Sequence, residues 1–189
     1  ELANNLGNLV NRTLNMTTRF AGGTLPAGEV AEELEKSLHA LWAKTRDVLL
    51  IVEPGTPAGY SRIVECRAQL IAAGANVMAP CPHQKPCPLV APDWCHFAER
   101  LARSRDHKHL KNADAPFEDE KFSYVAVSRT PRSTQPAARV LAQPSMTKVE
   151  IKAKLCKQDG TASVLAIPRR DKEAYAKARR WRWGDAVQF

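Results

Sequence analysis

Residues 48–79, VLLIVEPGTPAGYSRIVECRAQLIAAGANVMA, decide the fold class. Val48 to Val52 is a short apolar run of the kind that forms a buried strand. EPGTPAGY is a glycine- and proline-rich turn, and a helix is expected from about Ser61 to Ala73. Gly74 stands where a helix C-cap belongs. Asn76 to Ala79 starts the next strand. The result is a strand–helix–strand unit, for which a right-handed crossover and parallel strands are expected. The chain therefore reads as α/β. The turn after the first strand is where such folds place ligands. EPGTPAG, however, has neither G-x-G-x-x-G spacing nor a Lys-Ser/Thr pair, so it reads as a turn. Glu53 at its start reads as a solvated strand-end carboxylate.

The second strand runs straight into APCPHQKPCPLVAPDWC, residues 79–95. Prolines at 80, 82, 86, 88 and 92 forbid a helix and disfavour a central strand. A stiff, irregular loop is expected, with Cys81, Cys87 and Cys95 at fixed places along it. A fourth thiol, Cys156, lies far downstream in KLCKQDG, where a strand ends in a turn. Three thiols on one loop and one on a distant hairpin can close a four-thiolate site, for an iron–sulfur cluster or for structural zinc. The spacing is neither the C-x2-C of zinc ribbons nor the C-x2-C-x2-C of bacterial ferredoxins. His83 and His96 flank the thiols, as alternative ligands or as second-layer donors. Cys66, on the apolar side of the first helix, reads as a core residue.

Outward from this centre, residues 1–20 and 27–45 read as amphipathic helices, separated by Gly22, Gly23 and Pro26. Residues 96–112, HFAERLARSRDHKHLKN, are expected to be a basic helix. Its Arg100, Arg103, Arg105, Lys108 and Lys111 are candidates for phosphate contact. The acidic patch Glu118, Asp119 and Glu120 is the group that can neutralise them. Phe122 to Ser128 alternate as a strand. After a polar loop at 129–137, ARVLAQP, KVEIKAKLC and SVLAIPRR read as three β segments, a small antiparallel sheet with QDG as a turn. The C-terminal RRDKEAYAKARRWRWGD reads as a basic helix, with Arg179 and Arg180 as further RNA-contact candidates. Trp181 and Trp183 are expected to pack inward.

The 189 residues suffice for a domain with a real core. The net charge of +8 favours an anionic partner, nucleic acid first among them. No apolar run is long enough to span a membrane, and the first residues lack the order of a signal peptide. Five cysteines with no secretory signal point to a reducing compartment. The chain starts at Glu1 without an initiating methionine, as a fragment would. The segments expected are an N-terminal helical piece (1–37), an α/β domain with the cysteine loop (38–130), and a β extension with a basic helix (131–189).

VEPGTPAGY, APCPH, CPL, DWCHF, FEDEKFSYVAVSR and the terminal RRWRWGD carry a resemblance. Over residues 38–187 the chain resembles the C-terminal part of the small-ribosomal-subunit methyltransferase-like family, mitochondrial ribosome assembly factors and their bacterial relatives. The resemblance implies a partial Rossmann-like methyltransferase sheet with a C-terminal extension. It also implies binding to small-subunit rRNA, with ribosomal proteins as further partners. It further implies a [4Fe–4S] cluster held by Cys81, Cys87, Cys95 and Cys156, which leaves Cys66 out. The expected compartment is the bacterial cytoplasm or, in a eukaryote, the mitochondrial matrix. The chain departs from the family pattern where the glycine-rich methyl-donor loop belongs. Glu53 and Gly55 are at most a remnant of an S-adenosylmethionine pocket, and no residue pair reads as a catalytic base or nucleophile. An assembly factor without catalysis is the expectation; an S-adenosylmethionine-dependent rRNA methyltransferase and a zinc-stapled structural domain are the alternatives. Residues 1–20 separately resemble a methionyl-tRNA synthetase segment through LANxLGNLxxR, with no activity carried over.

Overall fold

The computed structural model describes residues 29–112 and 114–188. The expected first helix, with its synthetase-like pattern, lies outside them. Helix α1, Glu29–Lys44, belongs through Ala43 to one compact unit; residues 44–189 form a second.

In the second unit, β1 (Val48–Pro54), α2 (Pro57–Ala72) and β2 (Asn76–Ala79) form the expected strand–helix–strand unit. The helix begins earlier than its sequence suggested. Thr56 caps it, its Oγ1 accepting from the Gly59 N–H at 3.1 Å, and Pro57 fills the first turn, where no amide donor is needed. Past its end Gly74 takes a φ of +83°, which lets the Ala75 N–H reach back to Leu70 O. Ile63, Cys66, Arg67 and Leu70 form the buried stripe of α2, so Cys66 is a core residue as read.

The centre of this sheet is β4, Phe117–Ser128. β1 pairs antiparallel with its second half, Val48↔Ser128 to Pro54↔Phe122. β2 pairs on the other edge, Asn76↔Ser128 and Val77↔Val127. β1 and β2 therefore run parallel, but with antiparallel β4 between them, and every ladder among the described residues is antiparallel. β1 is also not the buried strand its composition suggested. With one neighbour strand it is half-covered, and Val48 and Leu50 are 56% and 58% exposed.

The stretch 96–112 corrects the expectation of one basic helix. Phe97–Ala102 is strand β3, paired with β4 from Phe97↔Phe122 to Ala102↔Phe117. Only Arg105–Lys111 is helical, as α3. Cross-strand contacts decide the outcome: the Phe97 ring meets Phe122 and Tyr124 at 6.1 and 5.3 Å, and Arg103 and Glu118 meet at 3.1 Å.

The second sheet holds β5 (Ala138–Val140), β6 (Ser145–Met146), β7 (Glu150–Lys157), β8 (Ala162–Pro168) and β9 (Ala186–Val187). The three expected β segments are present, and β7 is central to them. Its Ile151, Ala153 and Leu155 are fully buried, every second residue, as a strand with one packed face demands. Leu155 packs with Ala138, Val140, Ala153 and Val187 beneath Leu165 and Trp181, and burying it contributes roughly 1.5–3 kcal/mol. Helix α4, Lys172–Ala178, is capped by Asp171 and covers Ile151 and Ile167. Trp181 packs inward, as expected.

Candidate metal centre

The cysteine loop starts and ends in the first sheet and reaches the second through the residues between. Its first residues leave β2; its last enter β3, where the Ser123 hydroxyl of β4 donates to Cys95 O at 2.8 Å. Cys156 comes from the end of β7, just before a tight turn. There Gly160 has a φ of +85°, and a Cβ on it would stand 2.8 Å from the Lys85 side chain. Lys85 donates to Asp159 O at 2.9 Å, so loop and turn are in direct contact. Lys154 of β7 ties Asp93 of the loop by a salt bridge.

This arrangement brings Cys81, Cys87, Cys95 and Cys156 into mutual range. Burial pushes Cys95 well up, and the charges of Cys81, Cys87 and Cys156 push it further. Burial, then Cys81 and Cys87, pushes Cys156 up to about 12. Burial also raises Cys81, with Arg67 opposing. Cys66 does not feel the set; burial and then Glu65 and Glu53 raise it. All five cysteines are free thiols. Among the described residues no three His, Cys, Asp or Glu side chains are gathered tightly enough to hold a metal ion.

The surroundings nonetheless fit a negatively charged four-thiolate centre. Arg67, 5% exposed, donates to His83 O and Lys85 O at 2.8 and 2.9 Å, and its Nε has no partner. Arg139, 8% exposed, donates to Pro80 O and Gly184 O, both at 2.7 Å. Neither guanidinium meets a carboxylate among the described residues. His83 lies 3.3 Å from the Cys156 sulfur through Nε2, its Nδ1 is buried without a partner, and burial lowers its pKa. Tyr60 of α2 lies 3.1 Å from the Cys87 sulfur, and burial, then that contact, raises its pKa. A groove of about 840 Å³, walled by Val64, Ala68 and Ile71 of α2, opens beside Tyr60 and Cys87. His96 stacks on Trp94 at 5.0 Å and meets Trp183 edge-on at 4.9 Å, an aromatic packing role.

The other sequence candidates separate. Glu53 accepts from Arg62 at 2.7 Å. Gly55 abuts β4 so closely that a Cβ would lie 2.7 Å from backbone atoms of Lys121 and Phe122, and its carbonyl accepts from Trp94 Nε1. Both hold the β1–α2 turn. Arg103 is half-buried against Glu118, while Arg100 is exposed, 3.8 Å from Asp119 and stacked over Phe117. Arg105 is exposed, Lys108 is half-buried, and Lys111 ends α3. Arg179 and Arg180 are exposed. Arg179 also lines a cleft of about 480 Å³ with Lys148, Arg169, Tyr175, Met146 and Thr147. Sequence reasoning missed Arg67, Arg139, Tyr60 and the Lys148–Arg169 pair. Arg67 had a signal: it falls at the inward spacing of Ile63, Cys66 and Leu70.

A two-sheet α/β protein with four thiols at the junction of its sheets is the class this geometry defines. Residues 28–188 match the family described as Mitochondrial small ribosomal subunit Rsm22, and the chain belongs to that methyltransferase-like family. It is similar to the human "Ribosome assembly protein METTL17, mitochondrial", 32% identical over 170 residues, covering 79% of this chain and 34% of the human protein. It is also similar to the fission yeast "Rsm22-cox11 tandem protein 2, mitochondrial" and its tandem protein 1 counterpart. Each is 24% identical over 199 residues, covering 82% of this chain and 26% of the yeast protein. The chain thus spans about a quarter to a third of the length of these relatives.

Proposed function

We propose that this chain is the part of a small-ribosomal-subunit assembly factor that holds a [4Fe–4S] cluster and contacts rRNA, without methyl transfer of its own. One observation supports the cluster: the cysteine loop and the end of β7 that carries Cys156 are in direct contact, and two buried arginines with no carboxylate partner among the described residues grip the loop backbone. Cys81, Cys87, Cys95 and Cys156 would be the ligands, with His83 and Tyr60 as donors to the sulfurs. A bound cluster would supply a rigid staple and a redox-sensitive lock between the sheets. The loop residues orient the thiols, and the Lys154–Asp93 and Lys85–Asp159 contacts hold loop and hairpin in register. The β1–α2–β2 unit supports reading the first sheet as part of a Rossmann-like methyltransferase sheet.

The net charge supports the RNA reading, and the ribosome-assembly role in the human relative's name agrees with it. Exposed Arg105, Arg179 and Arg180, with the Lys148–Arg169 cleft and Arg100 beside Asp119, are the groups offered to phosphates. The names of the relatives support residence in the mitochondrial matrix if the chain is eukaryotic; among the described residues no helix is long and apolar enough to cross a membrane. Iron and sulfide analysis of protein purified without oxygen tests the cluster. Binding to small-subunit rRNA at several salt concentrations tests the surface: a steep salt dependence is expected, and a flat, weak response would refute it.

A further inference from the structure

Arg67 and Arg139 pose a problem that backbone bonds alone do not solve. A buried cation without an anion is costly, and carbonyl oxygens supply only partial charge. Neither residue pairs with a carboxylate among the described residues, and the Arg67 Nε is orphaned. Both point to the same place. Arg67 leaves α2 and grips His83 and Lys85, residues between Cys81 and Cys87 in sequence. Arg139 stands directly across the β5–β7 ladder from Cys156, which puts both side chains on one face of the sheet, and it grips Pro80, next to Cys81. One guanidinium thus reaches the cysteine loop from α2 and the other from the second sheet, each held on backbone carbonyls close in sequence to a thiol.

We propose that Arg67 and Arg139 are the counter-charges of the four-thiolate centre, stabilising it when loaded and setting its reduction potential. The inference rests on the proposed cluster site but not on rRNA binding. The four thiolates and their metal carry net negative charge; two fixed buried cations offset it. With the centre removed and the thiols protonated, the same cations are left unmatched.

The test is a set of full-length variants, Arg67→Met, Arg139→Met, Arg67→Lys and Arg139→Lys, each compared loaded and chelator-stripped. Melting temperatures are expected to reverse sign. Each methionine variant melts below wild type when loaded, and at or above wild type when stripped, because removing an unmatched buried cation relieves its cost. Methionine variants that are destabilised equally in both forms would overturn the proposal and reduce both arginines to loop braces. The second readout is one-electron reduction of the loaded protein by titrated dithionite, followed by absorbance. Each methionine variant should hold about tenfold less reduced centre at a given potential, about 59 mV for a one-electron couple. The lysine variants, which keep the charge but lose the fork, should stay near wild type. Equal potentials in methionine and lysine variants would overturn the assignment even where stability falls. Wild-type protein that takes up no metal or cluster would instead refute the site itself.

Discussion

The cysteine junction and the β3–β4 hairpin both concentrate arginine, and they treat it in opposite ways. On the hairpin, Arg100 and Arg103 face Asp119 and Glu118 across the strands, so much of the local charge is answered by carboxylates. At the junction, Arg67 and Arg139 are buried and answered by backbone carbonyls. The first arrangement is an ordinary polar sheet edge, where exposed pairs contribute little. The second leaves two buried charges without a carboxylate among the described residues, and under the proposal above the four cysteines offset them. A count of basic residues does not separate the two cases; their partners do.

The contrast can be broken from either side. Cys156→Ser should have the largest effect: loss of the cluster and a loosened contact between loop and hairpin, read as loss of visible absorbance and a lower melting temperature. A Cys66→Ser variant, which lies outside the set, should keep full absorbance. Leu155→Ala, beside the fourth thiol in the core of the second sheet, should cost about 2–5 kcal/mol in denaturant unfolding. Arg169→Gln with Arg179→Gln should weaken rRNA binding and flatten its log–log salt slope by about one to two, while leaving the cluster intact. Arg103→Gln should leave the salt slope unchanged and cost about 1 kcal/mol through the lost half-buried contact with Glu118. The smallest effect is expected for Leu50→Lys on the exposed face of β1, within about 0.5 kcal/mol of wild type.

Much of this arrangement is legible in the sequence. Gly74, the proline-rich loop and the QDG turn mark the ends of their elements because their backbone demands are local. Cys66 is legible as a core residue from its place on the apolar stripe of α2, while the grouping of Cys81, Cys87 and Cys95 with Cys156 remains a proposal. Residues 96–112 were not legible. Phe97, Leu101 and Leu110 suit a helix, and only the facing residues 117–122, contributed after α3, make the first part a strand. The exposure of β1 was hidden for a similar reason: an apolar run states its preference, not which neighbours cover it. Arg139 carries no local signal at all, since its role depends on register with Cys156 across the ladder. Arg67 carried one, as a charged residue at a core position of α2.

The most direct test is iron, sulfide and zinc analysis with an absorption spectrum, on protein purified without oxygen. The account predicts a brown protein with about four irons per chain and a broad band near roughly 400 nm, both lost in Cys156→Ser. A colourless protein with about one zinc, or with no metal, would contradict it.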